Sequence, residues 1–78
     1  MLNKYYVSWE IGVHHITVET TKEDFERVME DLKEEFPILR SHLDGETTDG
    51  KEFEVTQYHI RNYWDEMQTV GYIVSEKE

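Results

Sequence analysis

Five apolar residues, Phe25, Val28, Met29, Leu32 and Phe36, recur at helical spacing between two stretches that alternate with period two. One amphipathic helix set among alternating runs leaves few folds open. It must bury a single stripe, and the nearest apolar surface is a sheet built from the strands around it. Both ends of the helix are marked. Thr20 to Glu23 and Thr21 to Asp24 have the spacing of a capping box, and Pro37 stops the run after Phe36, so the helix is predicted over residues 21–36.

Before the helix, Tyr5, Val7, Trp9 and Ile11 alternate with Tyr6, Ser8 and Glu10; after Gly12, His14, Ile16 and Val18 alternate with His15, Thr17 and Glu19. Two such runs around a glycine predict an antiparallel hairpin. A two-residue loop at Ile11 and Gly12 pairs Trp9 with His14, Val7 with Ile16 and Tyr5 with Val18. That register gathers the large apolar groups on one face and packs His14 beside Trp9.

After Pro37, residues 38–43 and 53–60 read as a second hairpin across an acidic, glycine-bearing loop at 44–50. Asn62 is placed to cap a short helix through Tyr63, Trp64 and Met67, ended by Gly71, with a last strand at 72–74. The predicted architecture is α+β. A small antiparallel sheet in the order ββαββ, then a short helix and strand, carries one main helix on one face. All 78 residues form one domain, and a chain this short buries only about 60 % of its unfolded surface. Ten aromatic residues counter the disorder that the charge alone suggests.

That charge is the second constraint. Eighteen Asp and Glu oppose eight Lys and Arg, for a net charge of −10. Affinity for nucleic acid or an anionic membrane rests on clustered cations, so direct binding to either is not expected. A basic protein surface is the natural partner. On a helical projection Glu23, Glu30 and Glu34 lie opposite the apolar stripe, flanked by Glu26 and Asp31, with Arg27 and Lys33 as interruptions. Carboxylates one turn apart are spaced by about 6 Å and roughly match successive phosphates of a nucleic-acid strand. Local pairing of Glu23 with Arg27 and Glu30 with Lys33 is the plainer account of the same face. Asp44, Glu46 and Asp49 extend the acid into the second hairpin, and Tyr6 or Tyr63 could anchor a partner. Trp64 and Met67 are expected to pack in the core.

Other chemistry has thin support. There is no cysteine, which excludes disulfides and thiolate chemistry and fits a reducing, cytoplasmic setting; no apolar run reads as a signal peptide or membrane span. Among the four histidines, His14 and His15 are neighbours on a strand and face opposite ways, so a shared metal would need His42 or His59 with a carboxylate. Counted from Asp44, the sixth and twelfth positions are Asp49 and Val55, which is not the order of a calcium loop. No phosphate-binding glycine loop or nucleophile motif occurs, and no cofactor or enzymatic activity is expected. The leading expectation is a non-enzymatic, acidic mimic of nucleic acid. It would occupy a basic nucleic-acid-binding protein, as phage or mobile-element anti-restriction and anti-CRISPR factors do. The rival is an assembly module that forms a homodimer, with acid serving only solubility.

Overall fold

The computed structural model describes residues 3–11 and 13–76. Its elements run β1 (Asn3–Ile11), β2 (His14–Thr20), α1 (Lys22–Glu35), β3 (Leu39–Glu46), β4 (Glu52–Arg61) and β5 (Met67–Glu76). The class is α+β, with a five-stranded antiparallel sheet in the order β2-β1-β5-β4-β3 and one helix across one face. The last strand therefore enters the middle and joins two hairpins that are separate in sequence.

Helix α1 starts where its capping chemistry allows. Thr21 is extended and its side chain accepts from the Asp24 amide at 3.2 Å, while Glu23 and Asp24 put negative charge at the positive end of the helix. Before Pro37, the Phe36 amide closes the last turn onto the Leu32 carbonyl at 2.8 Å. The buried stripe, Phe25 and Met29, meets Val7, Ile60 and Val70 of the three central strands. Tyr5 and Tyr58 flank the Phe25 ring at centroid distances of 5.5 and 5.3 Å. Gly71 lets the helix approach this closely. A Cβ there would lie 2.7 Å from Met29 Cε and 2.8 Å from the Tyr6 carbonyl oxygen.

Three details depart from the sequence reading. The first hairpin pairs Trp9 with Ile16, Val7 with Val18 and Tyr5 with Thr20, two residues away from the expected register. Ile11 stays in the strand opposite His14 and out of the turn, whose primed conformations favour positive φ. A two-residue slip preserves the faces but moves His14 to the end of the ladder, where it is exposed rather than packed against Trp9.

The expected helix after Asn62 is instead a hairpin loop, and β5 begins at Met67. Asn62 Oδ1 accepts from the Trp64 and Glu66 amides, both at 3.0 Å, and Asp65 takes φ 60, which a helix does not accommodate. An asparagine that can cap a helix can also organise a turn with the same side-chain oxygen. In consequence Trp64 and Met67 are solvent-facing, at 78 % and 54 % exposure, and are not core residues.

The third departure is in the second hairpin. β3 extends through Glu46, so Asp44, Gly45 and Glu46 belong to the ladder and the loop shrinks to residues 47–51, with Gly50 at φ 86. A bulge completes the sheet. Tyr58 pairs with Gly71 and His59 with Thr69, which leaves Val70 as the extra residue. Val70 and Gly71 both meet the helix side, so the inward positions of β5 change from even to odd numbers at this point.

Candidate functional site

The sheet separates the charges. Ladder pairing places Arg40, His42, Asp44 and Glu46 of β3, with Glu52, Glu54, Thr56 and Tyr58 of β4, on the side that carries the helix. Seven carboxylates project from α1 itself: Glu23, Asp24, Glu26, Glu30, Asp31, Glu34 and Glu35. The opposite, open face carries Tyr6, Ser8, Val55, Gln57, His59, Tyr72 and Val74, and its acids are Glu10, Glu19 and Glu76. One side of the molecule is thus acidic, and the other, with Lys4 and Arg61 beside its three acids, is close to neutral.

The helix acids named from sequence, Glu23, Glu26, Glu30, Asp31 and Glu34, are all exposed. Local pairing is weaker than expected. Arg27 turns to Asp24 at 3.5 Å rather than to Glu23, and among the described residues no ion pair joins Glu30 to Lys33. Glu26, Glu30 and Lys33 instead border an open groove of about 510 Å³ between α1 and the second hairpin, with Arg40 on its far side and Phe25 and Tyr58 in its floor. The flank of the helix facing the groove is mixed in charge. Its outer surface, at Glu23 and Glu34, is acidic.

On the second hairpin Asp44 lies opposite Glu54, and Glu46 opposite Glu52. Asp44, Glu46 and Glu52 border a shallow cleft of about 300 Å³. Like charges directly across a ladder are unfavourable. His42 lies beside Glu54, with Nδ1 at 3.3 Å from its Oε1 and 3.2 Å from Thr56 Oγ1. Asp49 sits at the hairpin tip, where the Thr47 hydroxyl donates to its carboxylate and holds its pKa below the usual value.

The two expected anchors are not brought together. Tyr6 lies on the open face, stacked on Tyr72 with centroids 4.8 Å apart, away from the helix acids. Tyr63 stays with them: its ring packs 5.1 Å from Phe36 and its hydroxyl donates to Glu35, which raises its pKa. Next to Tyr63, at 73 % exposure, in the same loop stands Trp64, an exposed aromatic where the sequence reading expects a core residue. The signal that could have found it is the Asp65 and Glu66 pair that follows, which fits a loop tip better than a buried helix.

Among the described residues no three His, Asp or Glu side chains converge as metal ligands, and no helix is long and apolar enough to cross a membrane. No family model, curated protein or solved structure matches this chain.

Proposed function

We propose that the helix side of the sheet is a binding surface for a basic protein, and that the protein acts as a non-enzymatic, acidic mimic of nucleic acid. In this reading Glu23, Glu26, Glu30, Asp31 and Glu34 meet lysines and arginines otherwise used for phosphate. Asp44, Glu46 and Asp49 extend the contact, and Tyr63 with Trp64 anchors one end. A phage or mobile-element factor directed against restriction or CRISPR machinery is the concrete form. The cytoplasm is where such a factor would meet its target.

The observation that supports this reading most is the placement of Glu46 opposite Glu52, on the side of the sheet that also carries the seven helix acids. A coat needed only for solubility could spread its charges and avoid cross-strand repulsion. A surface selected for a polycationic partner gains from concentration, because complementary potentials speed encounter.

The test is affinity capture with the intact protein as bait, eluted in salt steps and challenged with duplex DNA and RNA. The expected result is a nucleic-acid-binding protein that either polyanion displaces and that the Glu30→Lys, Glu34→Lys double variant fails to capture. Capture that neither competitor nor rising salt affects would overturn the mimic. So would capture by the double variant equal to the parent's.

A further inference from the structure

We infer that the open face of the sheet is the interface of a homodimer, which leaves both acidic helix sides outward. This does not depend on the reading of the acidic side.

The helix packs on one face of the sheet over its three central strands, and the residues on the opposite face form rows that can be read across the ladders. One row runs Lys4, Val74, Val55, Leu43; the next runs Glu19, Tyr6, Tyr72, Gln57, Ser41. Phe53 continues the apolar patch, lying across Gly45, where a Cβ would meet its ring at 2.5 Å. The centre of this face is therefore aromatic and branched aliphatic. Leu43, at its β3 edge, is 53 % exposed in the single chain. The polar groups beside it are already engaged: Ser8 with Thr17 at 3.0 Å, and His59 between Ser41 and Thr69, both at 3.0 Å. Approach of a second surface does not strand them.

Charge identifies the occupant. With a net charge of −10, two copies repel through most of their surface. The open face is where they do not. Its three acids and its cations, Lys4 and Arg61, sit at the rim: Glu10 near the first hairpin loop, Glu19 on the outer strand, Glu76 at the end of β5. An uncharged centre with a mixed rim is the usual anatomy of an interface, and a basic protein would gain nothing at this face that the helix side does not offer better.

The area also suffices. Five strands about 4.8 Å apart and seven to ten residues long, at about 3.3 Å each, span roughly 700 Å². Two such faces bury about 1,400 Å², within the range of stable interfaces. A two-fold axis lying between the sheets pairs the patch with itself.

Sedimentation equilibrium of the full chain at micromolar and sub-millimolar concentration, in low and high salt, tests this. The expected result is a species of twice the 9.4 kDa chain mass that high salt does not dissociate. Leu43→Arg and Val55→Glu should each raise the dissociation constant at least about tenfold while far-ultraviolet circular dichroism is unchanged. Glu30→Lys with Glu34→Lys should leave it intact. If Val55→Glu does not fold, Leu43→Arg decides, because that side chain is already half in solvent. A monomer at the highest concentration, or a folded Leu43→Arg that remains dimeric, would overturn the inference.

Discussion

Glu46 on β3 lies directly opposite Glu52 on β4, and two residues further along the same ladder Asp44 lies opposite Glu54. Antiparallel pairing brings directly opposed side chains within about 5.5 Å at Cβ, close enough for the like charges of Glu46 and Glu52 to oppose the hairpin they sit on. Register alone creates this arrangement, since a shift by one residue would place these carboxylates on the other face.

Glu52→Lys should therefore stabilise the fold while weakening capture of a basic partner. Replacing a like pair by an opposite one is worth about 0.5 kcal/mol, or roughly 2–4 °C in Tm for a domain of this size. The gain should shrink at high salt, where exposed charges are screened. Thermal melts of parent and variant at two salt concentrations check this; a variant that melts lower than the parent at low salt contradicts it.

Gly71→Ala addresses the packing of α1 on β5, at the centre of the same side of the sheet. The new methyl would meet Met29 Cε at 2.7 Å, which a flexible side chain can relieve, and the Tyr6 carbonyl oxygen at 2.8 Å, which belongs to the β1 ladder and cannot move freely. Overpacking of this kind costs about 1–3 kcal/mol, against a total of roughly 4–12 kcal/mol for a chain of this length. The urea midpoint should fall accordingly, and an unchanged midpoint would mean that the helix can lift off β5 without loss.

The helix and the first hairpin are legible in the sequence because each rests on local chemistry that repeats. The Thr21 cap, the stripe from Phe25 to Phe36 and the stop at Pro37 agree with one another, and α1 lies where they place it. The remainder turns on choices that the residues themselves do not make. Asn62 offers its side-chain oxygen equally to a helix start or a turn, and the pairing of Arg61 with Met67 selects the turn. The extra residue at Val70 breaks the alternation of β5, so a period-two reading cannot follow that strand from Met67 to Glu76. Of the candidate surface, the helix acids can be read from the projection. The separation of Tyr6 from Tyr63 cannot, because it depends on which face of the sheet the helix covers.

Asn62→Ala should loosen the β4–β5 hairpin without touching the core. Two backbone amides, of Trp64 and Glu66, lose their acceptor, at a cost of about 1–2 kcal/mol. Asn62→Asp keeps an oxygen in place and should lie near the parent. Amide hydrogen exchange at residues 64 and 66 reads the effect directly; equal protection in the Asn62→Ala and Asn62→Asp variants would show that the side chain does not hold the loop.

Tyr63 provides a test through pH. Its hydroxyl donates to the Glu35 carboxylate, and this bond, reinforced by desolvation and by the nearby negative charge, raises its pKa above the ordinary tyrosine value of 10.0. A group whose pKa is raised on folding contributes stability that is fully present below the unfolded value and is lost as pH rises through the folded one. The contact between the β4–β5 loop and the end of α1 should therefore hold at neutral pH and fail in strong alkali, when phenolate and carboxylate repel. Absorbance titration of the tyrosinate band should show one late transition that disappears in Tyr63→Phe and moves back toward the ordinary range in Glu35→Gln. If the late transition survives Tyr63→Phe, it belongs to another tyrosine, and the loop is not held by this bond.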